Sequence, residues 1–292
     1  MLPLLFSAFF TPSLAVTCTS QTQPNPIAQD YPNDATGVIN GTTAIVPIPY
    51  AVARSIVPAQ YSILTSAYRT IFPSLPPDLY PAVLEALHDH DVRAFNFSIP
   101  DFSRSALRFP FVDRLNDGHT SFKYGSPILI SKENAIAVNG SAVYGTTYPA
   151  TFVPECDAYA ADACGGTFMN ASVFLSTRND SKPDIGSVFQ TTGAIPYTLK
   201  AFMNITNQPI FGDAPSSLCD NYITLFNTSI TAPPYAPVPV KGTVSVRPPV
   251  CPKESVFEEV YGFRMANAFV ERNAVPCESL GGYHGTGEGD SG

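Results

Sequence analysis

Hydrophobic and polar positions alternate over short distances along most of this chain, and long helical periods are rare. Period-2 or short apolar runs predict strands over residues 43–47, 91–99, 120–124, 128–131, 135–144, 172–176, 197–205, 220–231 and 241–246. Two segments have helical spacing. Residues 50–56 read as a short helix closed by Pro58, and 77–88 place Leu79, Val83, Leu84 and Leu87 on one side. Residues 254–271 are amphipathic and predict a short helix followed by a strand. Many closely spaced strands with few helices describe an α+β, β-rich domain, an antiparallel barrel or sandwich with helices at its edge. The 29 prolines fit this reading, because Pro suits turns and strand edges better than helix interiors.

The N-terminal residues add a compartment to this picture. Residues 2–10 form an apolar run, and Ser13-Leu14-Ala15 fits a small-x-small cleavage site, so 1–15 read as a secretory signal peptide. The run is too short to span a membrane as a helix. Residues 16–36 read as a loose N-terminal arm, 37–278 as one domain, and the Gly-rich 279–292 as a disordered tail without a lipid-anchor signal. Seven N-x-Ser/Thr sequons, at Asn40, Asn96, Asn139, Asn170, Asn179, Asn204 and Asn227, point to a glycosylated, extracellular protein. A glycan on Asn96 would turn its side chain to solvent, and alternation then turns Arg93, Phe95, Phe97 and Ile99 inward. The same argument sends Asn139 outward from its strand.

Six cysteines, at 18, 156, 164, 219, 251 and 277, suit disulfides in an oxidising compartment. Six cysteines allow 15 pairings. Cys156 and Cys164 bracket a short Ala-rich loop and are expected to bond to each other. Zinc is disfavoured, because no Cys-x-x-Cys or nearby His accompanies them.

Charge narrows the partners. A net charge of −8 and a pI near 4.9 speak against nucleic acid and against attraction to an anionic membrane. The chain lacks the motifs G-x-S-x-G and G-x-x-x-x-G-K-[ST], and no nucleotide or other cofactor is expected. His88-Asp89-His90-Asp91 has the i, i+2 spacing of a strand-borne chelate, but it reads better as a polar helix-to-strand turn, and no metal is expected. Asn116-Asp117-Gly118-His119 reads as a turn.

Three segments resemble the acetoacetate decarboxylase superfamily. ARSIVP (53–58) looks like an early helix ending in Val-Pro. PILISKENAIAVNGSAVYGTTYPATF (127–152) looks like the family's paired strands, in which an Ala-Ile-Ala-Val run precedes a Gly-Tyr-Pro-Lys-Lys stretch. KGTVSVRPPVCPKESVFEEVYGFRMANAF (241–269) looks like its closing strands. The resemblance spans about residues 45–270 and implies a closed β-cone around a cavity for a small molecule. It also implies a lysine that forms a Schiff base with a keto acid, activated by a neighbouring lysine. Here Gly145–Thr147 or Tyr148–Thr151 stands at that position, and no lysine occurs between Lys132 and Lys182. Phe95 and Arg104 stand where the family's strand-borne glutamates are expected.

The chain therefore reads as a divergent, secreted relative, either a pseudoenzyme or an enzyme with other chemistry. It is expected to handle a small organic acid through Arg93 and Arg104, whose guanidinium forks match a carboxylate. Phe95, Tyr144 and Tyr148 are expected to line the pocket. Asp101 and Asp113 are candidate acid/base or Arg-pairing groups. Lys123 is a candidate relocated amine, although a solvated edge lysine is its more economical reading. The alternative is a non-catalytic extracellular binder of an apolar metabolite. Convergent arginines and carboxylates in the lumen would favour the first reading, and an apolar lumen the second.

Overall fold

A computed structural model describes residues 18, 22–95, 97–125, 127–174, 178 and 180–282. In chain order the elements are β1 (Ala35–Pro49), α1 (Tyr50–Ile56), β2 (Ser62–Ile63), α2 (Thr65–Ile71), β3 (Leu79–Ala94), β4 (Phe97–Ile99) and β5 (Phe102–Asp113). They continue with β6 (Phe122–Tyr124), β7 (Ile128–Ser131), α3 (Ala135–Ser141), β8 (Thr147–Val153), β9 (Thr167–Val173), β10 (Ile185–Thr191) and α4 (Leu199–Thr206). The last are β11 (Ile210–Phe211), β12 (Leu218–Leu225), β13 (Val238–Val246) and β14 (Ser255–Pro276), with short 3-10 turns at Ser229–Thr231 and Cys277–Leu280.

The strands join into one mixed sheet that closes twice. In one ring β3, β5, β7, β8, β9, β10, β13, β14 and β1 pair in succession, and β1 returns to β3. In the other, the far half of β5 pairs with β6, then β11, β12 and the end of β14, which again leads through β1 to β3. Closure removes exposed edges, as in any barrel. The pairing is antiparallel except for β7 with β8 and β11 with β6. This is the β-rich cone expected from the sequence, with two parallel pairs that were not.

Several elements differ from expectation, for identifiable reasons. From Leu79 on, residues 77–88 belong to strand β3, almost all of which is buried. A strand covered on both faces loses its polar alternation, and its apolar run then mimics a helical stripe. Pro81 inside the run was the contrary signal, because a helix interior rejects it. Residues 135–144, expected as a strand, hold helix α3, whose start is capped by Asn134 Oδ1 accepting from the Ala137 N–H at 2.9 Å. Residues 197–205 hold helix α4, capped by Thr198 Oγ1 accepting from the Ala201 N–H at 3.2 Å. Strand β14 occupies 255–276 with no helix in front of it.

The inward face assigned around Asn96 fails for Arg93 and Phe97, while Phe95 and Ile99 line a cavity. Arg93 is exposed, Phe95 and Phe97 are 67% and 74% exposed, and Val92 is the buried residue. Pairing of β1 with β3 slips between Thr36 and Val38, and Asp91 has φ 48°, so the alternation reverses at the end of β3. Asn96 and Asn179 lie outside the described residues, as do the signal-peptide segment and residues 283–292. Asn139 is exposed, but on α3 rather than on a strand. Asn227 is exposed, whereas Asn170 and Asn204 are half-buried.

Asn40 is fully buried in the middle of β1, between β3 and β14, and its side chain offers no room for a glycan. The next residue, Gly41, has φ 148°, and a Cβ there would overlap the Ala86 carbonyl of β3. The sequon Asn-Gly-Thr at this point serves strand packing.

The cysteines also pair differently. Cys156 bonds Cys18, with Cα atoms 5.2 Å apart, and Cys219 bonds Cys277 at 5.0 Å. Cys164 is an exposed thiol and Cys251 a buried one. The Cys18 bond fastens the start of the arm to the 154–165 loop. Further along, Ile27 packs with Val38, Ile223 and Val270, so this part of the arm is docked.

Candidate functional site

The second ring encloses a cavity of about 400 Å³. Its wall comes from β3, β5, β7, β11, β12 and β14, and α3 lies across its side with Ile136, Ala137, Gly140 and Ser141. The upper wall is apolar, with Val92, Ile99, Phe102, Ile128 and Phe269. The floor is charged.

Strands β3 and β5 build that floor. Residues four apart on a strand share a face, so Glu85 and Asp89 point the same way, as do Arg104 and Arg108. The register sets Leu87 opposite Arg104 and brings the two pairs together. Arg104 donates from Nε to Asp89 Oδ2 at 2.9 Å, from Nη1 to Glu85 Oε2 at 3.1 Å and from Nη2 to the Tyr222 hydroxyl at 2.9 Å. Its guanidinium also lies 4.9 Å from the centre of the Tyr222 ring, which stacks on Phe269 at 4.7 Å. Arg108 donates from Nε to Glu85 Oε2 at 3.0 Å and from Nη1 to the Gly125 carbonyl. A guanidinium has five N–H groups, so donors remain on both arginines. Gly125 is necessary here, because a Cβ would strike the Arg108 guanidinium and Ile210.

Lys123 closes the cluster from behind. It is fully buried on β6, its Nζ donates to the Thr206 carbonyl at 2.6 Å, and it stands 3.8 Å from Glu85 Oε1. Burial pulls its amine down to about 8 against the attraction of Glu85. It is neither a solvated edge lysine nor part of the cavity surface. Glu85 pays for burial with three cations: burial alone would raise its pKa, but Arg108, Lys123 and Arg104 together hold it at about 2. Asp89 is pushed up to about 6 by burial, against Arg104.

The opposite wall carries two more carboxyls. Asp220 and Tyr222 share a face of β12, and Glu271 stands opposite Tyr222 on β14. Asp220 is buried, and its Oδ2 accepts from the Tyr144 hydroxyl at 3.2 Å, while its Oδ1 has no partner. Burial raises both carboxyls, and Asp220 raises Glu271 further. Burial likewise keeps the Tyr144 and Tyr222 hydroxyls protonated. The floor thus presents guanidinium donors on one side and protonatable carboxyls on the other.

Of the residues singled out from sequence, Arg104 and Tyr144 line this cavity, and Phe95 lies at its mouth. Arg93 does not line it. Tyr148 faces a separate cleft with Tyr124, Pro248 and Cys251. Asp101 accepts from the Asp91 N–H at 3.3 Å outside the cavity. Asp113 accepts from the Asp117 and Gly118 N–H groups at 3.0 Å and organises the 113–118 turn. Neither Asp101 nor Asp113 lines the cavity.

His88 and His90 are not in a turn but fully buried on the other face of β3, rings stacked at 6.4 Å. His88 Nδ1 meets Ser103 Oγ at 3.2 Å, and His90 meets Asp91 at 2.8 Å and Thr22 at 3.1 Å. Among the described residues no group of three or more His, Cys, Asp or Glu side chains is placed to hold a metal ion.

Sequence reasoning missed Glu85, Asp89, Arg108, Asp220 and Glu271. The signal was present for three of them: a charge inside an apolar run, as in AVLEAL, ALRFPF and AFVERN. Such a charge needs a buried partner.

No protein-family model matches the chain, and no curated protein matches it. Solved structures do. Acetoacetate decarboxylase from Legionella pneumophila subsp. pneumophila str. Philadelphia 1 is similar over 92% of each chain, at 11% identity and a TM-score of 0.42. The enduracididine biosynthesis enzyme MppR, solved with the condensation product of pyruvate and imidazole 4-carboxaldehyde, covers 82% of this chain and 88% of its own, at 8% identity and a TM-score of 0.44. An acetoacetate decarboxylase-like enzyme from Sphingomonas wittichii RW1 covers 83% and 94%, at 8% identity and a TM-score of 0.41. Across most of its length the chain is similar in fold to acetoacetate decarboxylase and acetoacetate decarboxylase-like enzymes.

Proposed function

We propose that this protein is a secreted glycoprotein that binds or transforms a small organic acid, an oxo acid above all, in the cavity of the second ring. The observation that carries this reading is the convergence of Arg104 and Arg108, both with N–H donors to spare, on the floor of a 400 Å³ cavity whose upper wall is apolar. A ligand carboxylate fits the guanidinium side, and its hydrocarbon part fits the wall formed by Val92, Ile99 and Phe102. An apolar metabolite without a charge would leave those donors and carboxyls unmatched, which disfavours the purely hydrophobic binder.

Schiff-base decarboxylation has less support. The Lys123 amine is partly unprotonated near neutrality, but it is sealed behind Glu85 and donates to the Thr206 carbonyl. Borohydride reduction in the presence of acetoacetate is expected to leave no adduct on the protein. Titration calorimetry with pyruvate, 2-oxobutanoate and acetoacetate tests the binding. Saturable binding that weakens at least tenfold in Arg104→Ala supports the reading, and no binding of any of the three acids overturns it. For the secreted glycoprotein, expression in a eukaryotic secretory host should give intact glycopeptides at Asn139 and Asn227 and none at Asn40.

A further inference from the structure

We propose that Asp220 and Glu271 are an acid–base pair that enolises an oxo acid bound in this cavity, without any covalent link to lysine. The inference rests on the organic-acid reading and adds the chemistry.

The geometry starts from an orphaned atom. Asp220 is 2% exposed and lines the cavity, and its Oδ2 is taken by the Tyr144 hydroxyl, yet Oδ1 has no partner. Buried carboxylate oxygens are seldom left so, because an unmatched one is costly. The cost is met when a ligand puts a proton there. Glu271 stands on the neighbouring strand, opposite Tyr222, and lines the same wall. Two carboxyls in one enclosed wall disfavour double ionisation, so one holds the proton while the other stays a base. Asp220, whose Oδ1 has no partner, is the base, which leaves the proton to the half-buried Glu271.

These groups and the arginines cover the needs of enolisation. Asp220 Oδ1 takes a proton from the carbon beside the carbonyl, and the C–H electron pair becomes the new C=C bond. The carbonyl π pair moves onto its oxygen, which receives the Glu271 proton. The products are the enol, a protonated Asp220 and a Glu271 carboxylate. The reverse step, with a solvent proton exchanged onto Asp220, returns the oxo acid with one hydrogen replaced. No oxidant, reductant or amine enters. Arg104 and Arg108 offset the charge that gathers on the ligand oxygens, and the Tyr144 hydroxyl holds Asp220 in place.

The test is hydrogen exchange at C3 of 2-oxobutanoate in D2O near neutral pD, followed by proton NMR with the full chain. Binding is measured in parallel by calorimetry, and intact mass is measured after borohydride treatment. One of the two C3 hydrogens should exchange stereospecifically, faster than in protein-free buffer. Asp220→Asn and Glu271→Gln should each slow that exchange by about 10²-fold, the usual scale for a general acid or base, with affinity changed less than threefold. Glu271→Gln alters a half-buried position and serves if Asp220→Asn fails to fold. Binding without exchange overturns the pair while leaving the organic-acid reading intact. So does exchange that both variants retain, and so does a borohydride adduct on Lys123. Absence of binding overturns both proposals together.

Discussion

The two faces of strand β3 are equally buried and chemically opposite. One presents Asp89 to the cavity and Glu85 to the cations beneath it, Arg104, Arg108 and Lys123. The other presents His88 and His90 to β1 and the docked arm, beside Asn40 and Thr22. On the cavity face every charge has a counter-charge, and the groups stay ionised. On the outer face burial outweighs the attraction of Asp157, and His88 is held neutral, its pKa lowered to about 4 by burial and then by His90. His88 Nε2 and Asn40 Nδ2 are left without hydrogen-bond partners there. Burial alone thus does not decide the charge state of a polar residue. What it faces decides, and only the face with opposed charges can present ions to a ligand.

The sharpest way to break this contrast is to remove the hub of the charged face. Glu85→Gln leaves three buried cations around a neutral amide and should cost about 3–5 kcal/mol, the range for breaking a buried ion pair from one side. Urea denaturation measures it, and a loss below about 1 kcal/mol would mean that water screens the cluster.

Acid should act on the other face. The His88 pKa is about 4 in the fold against an ordinary 6.5. Between those values the unfolded chain binds more protons, so His88 makes stability fall as pH drops from about 6.5 to 4. Asp89, raised from 3.8 to about 6, works in the opposite direction over much of that window. The His88 part is therefore read as wild type minus His88→Gln, and it should reach at most about 3 kcal/mol at pH 4. A flat difference curve would place a counter-charge or water at His88.

Gly125→Ala tests the charged face without removing a charge. A Cβ there displaces the Arg108 guanidinium. Acid binding should weaken about tenfold, or about 1.4 kcal/mol, by calorimetry, with the His88 difference curve unchanged. The smallest effect is expected at the arm. Thr22 Oγ1 meets His90 Nε2 at 3.1 Å and donates to Asn40 Oδ1 at 3.0 Å. Thr22→Ala should lower stability by about 1 kcal/mol in the same denaturation experiment and leave acid binding untouched.

Part of the fold was legible where a short apolar or periodic run is bounded by turn residues, as Pro58 bounds the first helix and Pro127 precedes the β7 run. Helix α1 and strand β7 fall where the pattern put them. The misreadings gathered at elements whose surroundings are unusual. Strand β3 is covered on both faces, and α3 is a short helix of β-branched and small residues with no buried side chain. Arg104 and Tyr144, both named from the sequence, line the cavity, whereas Arg93 was lost to a bulge that a period-2 count cannot see.

By itself the sequence determined the inventory: a strand-rich chain with a lean, acidic surface, no lysine at 133–181, and charges set inside apolar runs. Those are properties of residue type and local spacing, and they survive any folding. Tertiary structure decided the partners. Glu85 meets Arg108 across 23 residues of chain, Arg104 meets Tyr222 across 118, and Cys156 meets Cys18 across 138. Such contacts depend on register and ring closure, because one residue of slip turns every side chain of a strand to its other face.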